Sequence, residues 1–133
     1  MTAAPRVGLF ATCLVDLYRP SVGFAAARLL QKAGCSVDVP RAQVCCGQPA
    51  YNAAAIARRT IDQFEGFDYI VAPSGSCAGM LRHHYPDLLG ADPRYATRAQ
   101  SVAEKTWELI AFLTDMRDWT DIDASWPAPV TYH

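Results

Sequence analysis

Apolar and polar residues alternate along the first ninety positions in a way that predicts strands separated by helices. Three short runs are typical of buried or half-buried strands: "VGLF" at 7–10, "CSVDV" at 35–39 and "DYIVAP" at 68–73. Two segments between them carry apolar residues with the spacing of one helix face, namely Val22, Ala26, Leu29, Leu30 and Ala33, and then Ala53, Ile56, Ala57, Thr60, Ile61 and Phe64. The predicted order is strand, helix, strand, helix, strand.

Local signals predict where these helices begin and end. Ser21 is suited to cap the start of the first helix, and Gly34 and Gly66 are suited to end the first and second. Ser76 is a possible cap for a short third helix. We expect that helix to end before Pro86, because proline disfavours helical geometry in the residue before it.

The last third of the chain predicts one longer helix, a loop and the beginning of a strand. The helix is expected from about Arg98 to Asp115, with an inner side formed by Val102, Leu109, Ile110 and Leu113. Residues 118–129 are predicted as a loop, and "VTYH" at 130–133 begins like a strand. Strands alternating with helices predict a three-layer α/β domain, Rossmann-like, with a short parallel sheet flanked by helices.

Composition narrows the class of protein. The chain has 133 residues, enough for one domain, with 51% hydrophobic and 19% charged residues. Its 12 basic and 13 acidic residues give a net charge of -1, so nothing predicts binding to nucleic acid or to an anionic membrane surface. Because the sequence shows neither a signal peptide nor a long apolar segment, we expect a cytoplasmic protein without a transmembrane segment.

Five cysteines carry the candidate chemistry: Cys13, Cys35, Cys45, Cys46 and Cys77. An odd number without an export signal favours reduced thiols or metal ligands over a disulfide framework. In the predicted fold, Cys13 follows the first strand, the Cys45–Cys46 doublet follows the second and Cys77 follows the third. Ligands of parallel α/β folds bind at the carboxyl ends of the strands, so we expect these four thiols to converge at one edge of the sheet.

Thiolates are soft ligands that select iron–sulfur clusters, zinc or copper(I). A doublet suits neighbouring metal atoms of a cluster better than one tetrahedral ion, and Gly47 lets the backbone approach a bulky cofactor. Zinc stays an alternative, although the common C-x2-C and H-x3-H spacings are absent. Cys35 is expected to fill space in the core, and His83 and His84 are expected to be solvated.

A rival prediction comes from "GSCAG" at 75–79, which has the G-x-C-x-G pattern of a nucleophile elbow between a strand and a helix. A cysteine hydrolase built on Cys77 would need a histidine base, and the candidates are His83, His84 and His133. This interpretation leaves the cysteine doublet unexplained. No catalytic residue is assigned.

The doublet and its spacing resemble the cysteine-rich "CCG" domains of the heterodisulfide reductase B subunit, the glycolate oxidase iron–sulfur subunit and the lactate utilisation protein A branch. In this chain, 31 residues separate Cys13 from Cys45, and 30 separate Cys46 from Cys77. The segments "ATCLVDLYRP", "CCGQPAYN" and "APSGSCAGM" are most similar to the first half of the lactate utilisation branch. The resemblance covers nearly the whole chain.

The resemblance implies a division of the chain. Residues 1–128 correspond to a first CCG domain, and 129–133 to the beginning of a second CCG half. Met80 stands where the heterodisulfide reductases have the last cysteine of a C-x-x-C, so only four of their cluster ligands match. Four matching ligands leave three options for the cofactor: a [4Fe–4S] cluster, a site completed by Met80 or by the second half, or a zinc ion.

The resemblance also implies a function. Members of the family transfer electrons as iron–sulfur subunits, here in the oxidation of L-lactate to pyruvate or of glycolate, together with other iron–sulfur subunits. The 133-residue fragment alone would then be inactive as a dehydrogenase. A zinc-binding structural or regulatory module is the second hypothesis, and the cysteine hydrolase is the third.

Overall fold

A computed structural model of the protein describes residues 3–11, 18–43, 45–47 and 51–131. Within these ranges, parallel strands form one four-stranded sheet in the order β2-β1-β3-β4. The strands are β1 (Arg6–Leu9), β2 (Ser36–Asp38), β3 (Tyr69–Ala72) and β4 (Thr106–Glu108). Helices cover both faces of this sheet. The predicted α/β class with a parallel sheet and flanking helices is therefore confirmed.

Helices occupy the connections between the strands. Their bounds are α1 (Pro20–Lys32), α2 (Ala53–Phe64), α3 (Gly75–Gly79), α4 (Tyr85–Leu89), α5 (Ala96–Glu104) and α6 (Leu109–Ala111). A π-helical segment, Met80–His84, joins α3 directly to α4, and a second one, Phe112–Met116, continues α6. The predicted loop at 118–129 contains neither helix nor strand, which confirms that prediction.

Alternating side chains of the strands build two separate cores, one on each face of the sheet. Val7 and Leu9 of β1 pack with Ala26 and Leu30 of α1 in the first core, which also holds Cys35. On the other face, a larger core joins β1, β3 and the helices α2 to α5, with the buried members Phe10, Ile61, Phe64, Ile70, Ala72, Leu81, Tyr85, Leu89 and Val102. The three layers follow from this division.

Helix α1 begins two residues earlier than predicted. Arg19 is the cap residue and Pro20 takes the first helical position, so the prediction that Ser21 caps the helix is wrong. Proline suits that position because its missing N–H would have no partner there and its φ is already helical. Gly34, at φ +84°, lies just beyond the end of α1, as predicted. Similarly, α3 begins at Gly75, ahead of Ser76.

The third helix does not end before Pro86, so that prediction is wrong as well. Helical structure runs without a break from α3 through Met80–His84 into α4, and Pro86 lies in the first turn of α4. A π-helical turn widens the backbone just before the proline, where the Tyr85 N–H donates to the Met80 carbonyl. Wider turns of this kind relieve the clash between a proline ring and the preceding turn.

The single helix predicted from Arg98 to Asp115 is also wrong, because β4 interrupts it at Thr106–Glu108. Val102 lies in the core on one face of the sheet, whereas Leu109 and Leu113 lie in the core on the other face. The apolar residues predicted to form one helix face therefore form two separate sets, which pack on opposite faces of the sheet before and after the edge strand β4. Residues 130 and 131 are not in a strand, and 132–133 lie outside the described residues.

Gly8 leaves room for two phenylalanine rings to pack against the backbone of β1. A Cβ at this position would lie 2.7 Å from Phe67 Cδ2 and 2.9 Å from Phe64 Cδ1. We expect Gly8→Ala to lower the free energy of unfolding by about 1–3 kcal/mol, since the two rings must move within a packed core. Gly66→Ala is the control, because nothing lies within 4 Å of its Cβ position. Equal urea midpoints for the two variants would contradict this account.

Candidate metal centre

Strand order places the candidate ligands. The chain crosses from β1 to β2 on one side and then returns past β1 to β3, so the topological switch point lies between β1 and β3. Ligands of open α/β sheets bind outside the carboxyl ends of the strands at that point. The Cys45–Cys46 doublet follows β2, and Cys77 follows β3 in the first turn of α3. Cys13 follows β1 but lies outside the described residues.

Three of the predicted ligands lie on the same side of the sheet. Cys46 and Cys77 are 3% and 9% exposed, and both belong to the larger core. Cys45 is partly buried and packs against the same core. Met80, the possible additional ligand, is buried in that core too. The structure thus brings two of the three predicted loops to one side of the sheet.

The Tyr85 hydroxyl contacts the cysteine doublet through the doublet's backbone. It donates to the Cys46 carbonyl at 2.8 Å and is 3.2 Å from Thr60 Oγ1. Burial raises the pKa of Tyr85 well above its ordinary value, and charge on Cys46, Cys45 or Cys77 would raise it further, because each would repel the phenolate. The hydroxyl is therefore linked to the doublet through the Cys46 peptide.

Gly47 fixes the geometry of the doublet. Its φ is +92°, a conformation that L side chains rarely adopt, and a Cβ would lie 3.3 Å from Ile56 Cγ2. In this conformation the Gly47 N–H points to Cys45 Sγ at 3.5 Å. This contact orients the Cys45 sulfur relative to the backbone of the loop.

Gln43 ties the loop after β1 to the loop after β2. Its Oε1 accepts from the Ala11 N–H at 2.7 Å, while its Nε2 donates to the carbonyls of Pro40 at 2.9 Å and Leu9 at 3.3 Å. Ala11 is two residues before Cys13, and Gln43 is two residues before Cys45. One amide side chain therefore sets the separation of two predicted ligand loops.

The remaining candidates lie elsewhere. Cys35 is buried in the opposite core, as expected of a packing residue; burial raises the pKa of its thiol, and Arg117 opposes that shift. His83 and His84 are exposed, as predicted, whereas Cys77 is buried, which does not fit an accessible nucleophile beside a histidine base. His133 lies outside the described residues.

Two features bear on metal binding. In the described part of the chain, no three His, Cys, Asp or Glu side chains are grouped so that they could hold one metal ion. The sulfur atoms of Cys45, Cys46 and Cys77, in and against the larger core, nevertheless are of the soft donor type that a thiolate-bound cofactor requires. Sequence reasoning missed both Tyr85 and Gln43. Only the closeness of Gln43 to the doublet in the sequence could have drawn attention to either residue.

Fold and site together define a cysteine-rich α/β domain with thiols at the carboxyl edge of a parallel sheet. The family model described as "Cysteine-rich domain" (CCG) matches residues 7–82, a span that includes all five cysteines. The chain belongs to this family. No solved structure is significantly similar to it.

Curated relatives extend the comparison. The chain is 46% identical over 134 aligned positions to "Lactate utilization protein A 1" of Bacillus cereus (strain AH820) and to "Lactate utilization protein A" of Bacillus thuringiensis (strain Al Hakam). Each alignment covers 96% of this chain and 56% of the relative, so the chain spans about half the length of these relatives. Among the described helices, none is both long and apolar enough to cross a membrane.

Gly47→Ala tests the conformation of the doublet loop. We expect the free energy of unfolding to fall by at least about 1 kcal/mol, because alanine is strained at positive φ and its Cβ meets Ile56. Gly75→Ala is the matched control near the same site, since no atom lies within 4 Å of its Cβ position. Thermal unfolding of both variants measures the difference. An unchanged midpoint in Gly47→Ala would show that the loop does not need this conformation.

Gln43→Ala tests the link between the two loops. Removing three hydrogen bonds should lower the free energy of unfolding by about 1–3 kcal/mol. Exchange of the Ala11 amide hydrogen, followed by NMR, should become faster because its acceptor is gone. Gln31→Ala, on the exposed side of α1, should leave that amide unaffected. Equal exchange rates in the two variants would disprove the link.

Proposed function

We propose that this chain is the first half of an iron–sulfur electron-transfer subunit, in which Cys13, Cys45, Cys46 and Cys77 hold a cluster of the [4Fe–4S] type. The observation that carries the proposal is that Cys45 and Cys46, after β2, and Cys77, after β3, all lie in or against the larger core on one side of the sheet. Cys13 follows β1, the strand beside the switch point, and would supply the fourth thiolate from the same edge.

The donor set fits such a group. Cysteine sulfur is the usual ligand of iron in clusters, and one thiolate per iron suits ligands that come from separate loops. Gly47 carries no side chain, and the surrounding core is apolar. Apolar surroundings limit the access of water, and water access is one of the factors that set the potential of a cluster.

The residues around the predicted ligands would then support cluster binding. The Gly47 N–H stabilises negative charge on Cys45 Sγ, and Gln43 sets the distance between the loops that carry Cys13 and Cys45. Burial of Cys46 and Cys77 keeps two ligands away from solvent oxidants. When bound, the cluster would supply a site that takes up and releases electrons singly.

Lactate is the substrate that the comparisons favour. Relatives that match nearly the whole chain are named for lactate utilization. We therefore assign this chain to a complex that oxidises L-lactate to pyruvate, with glycolate as the alternative substrate. That oxidation releases an electron pair and protons, so the complex needs carriers that accept the electrons, and other iron–sulfur subunits would share this task.

The length of the relatives supports the proposed division of the protein. Because the chain spans 56% of each relative, the remaining length is sufficient for a second half of similar size. We place the boundary at residues 129–133 and the complex in the cytoplasm. In this proposal the 133-residue fragment alone does not oxidise lactate.

Metal analysis of the anaerobically purified, full-length protein tests the proposal. We expect a brown protein with about four irons for this half, and an electron paramagnetic resonance signal on reduction. Cys45→Ala, Cys46→Ala, Cys77→Ala and Cys13→Ala should each lose most of this iron, because each removes one ligand. Cys35→Ala is the matched control and should keep it, since Cys35 lies in the opposite core.

The alternative result is a colourless protein that holds one zinc ion tightly in the wild type but not in the same variants. That result would mean that the site binds zinc and not a cluster. Iron that survives loss of the doublet would refute the ligand assignment. Met80→Leu separates packing from ligation, because leucine has a similar volume but no sulfur donor. Full iron content in that variant assigns Met80 to the core alone.

A further inference from the structure

Tyr85 is the one buried polar side chain that contacts both the cysteine doublet and the helix layer in the described part of the chain. Its side chain is fully buried, and its hydroxyl reaches the Cys46 carbonyl at 2.8 Å and Thr60 Oγ1 at 3.2 Å. Sequence patterns gave no reason to single it out, and the site described so far does not require it. Its position raises the question of what the hydroxyl does there.

Counting protons shows where the Tyr85 hydroxyl donates. Thr60 Oγ1 gives its own proton to the Ile56 carbonyl at 3.1 Å, so it can act only as an acceptor toward Tyr85. A phenol has a single proton, and the shorter contact is with the Cys46 carbonyl. A phenol keeps its proton at neutral pH, so the group is a donor.

A π-helical turn in the backbone positions Tyr85 next to the doublet. The π-helical segment Met80–His84 ends at Tyr85, whose N–H donates to the Met80 carbonyl. Insertion of a wide turn changes which face of the downstream helix meets the core, and such turns occur often at functional sites. As a result, Cys77 in α3 and Tyr85 in α4 contribute to the same core.

We propose that Tyr85 is a positioning residue for the metal centre: its hydroxyl holds the Cys46 peptide so that the doublet keeps the geometry a cluster needs. This inference rests on the proposed iron–sulfur function only for its second consequence, the properties of the bound cluster. Its first consequence, a doublet held in place without metal, concerns the protein alone. The two consequences can therefore be tested separately.

The first test measures alkylation of the reduced, metal-free full-length protein with iodoacetamide, located residue by residue by tandem mass spectrometry. In Tyr85→Phe we expect Cys46 and Cys77 to react roughly two- to tenfold faster, the change that follows from losing one buried hydrogen bond. Cys35 is the internal reference, because it lies in the opposite core and reports global unfolding. Its rate should not change.

Tyr95→Phe is the matched control, since Tyr95 packs against the same core but its hydroxyl donates to the exposed Asp62 carboxylate and not to the doublet. It should leave all cysteine rates unchanged. Thr60→Val removes the second acceptor but keeps the bond to Cys46, so Cys46 should react no faster than in the wild type. Acceleration of Cys46 in Thr60→Val equal to that in Tyr85→Phe would overturn the proposal, as would a parallel rise at Cys35.

The second test measures the reconstituted full-length protein. Tyr85→Phe should shift the midpoint potential and the electron paramagnetic resonance line shape, and should speed loss of iron to a chelator, while Tyr95→Phe should match the wild type. An unchanged potential and line shape would overturn the role toward the cluster. If no variant and no wild-type protein binds iron, the proposed function fails, yet the alkylation result still decides whether Tyr85 holds the doublet.

Discussion

Parallel pairing of all strands is the constraint on which the candidate site depends. Strands that run in the same direction deliver every exit loop to the same edge, and the order β2-β1-β3-β4 brings the exits of β1, β2 and β3 next to one another. Residues far apart in the sequence, such as Cys46 and Cys77, therefore belong to the same core. Antiparallel pairing of one strand would move its cysteine to the opposite edge.

On one face of the sheet, the same residues are both members of the hydrophobic core and candidate metal ligands. Cys46, Cys77 and Met80 are members of the larger core, so the packing that stabilises α2 to α5 also holds the sulfur donors. Cys35, in the other core, shows that burial alone does not define a ligand. What separates the two kinds of cysteine is position: three follow strands at the carboxyl edge, whereas Cys35 precedes β2.

Sequence patterns predicted the strands β1 to β3 and helices α1 and α2 because each element has a single period and one buried face. They failed for residues 98–115, where Val102 and Leu109 pack on opposite faces but keep a helical spacing by chance. They also failed at Pro86, since a local rule for proline says nothing about a π-helical turn that accommodates it. Both failures concern tertiary structure that no short window of sequence contains.

Cysteines could be identified as candidate ligands because their chemistry is evident from residue type, spacing and strand order. Gln43 and Tyr85 could not, because an amide in a loop and a tyrosine before a proline have many ordinary uses. Their roles follow from contacts with backbone groups, the carbonyls of Leu9, Pro40 and Cys46, which every residue possesses and no sequence pattern marks. Residues that orient ligands through the backbone are thus found only once the fold is known, even where the ligands themselves are plain in the sequence.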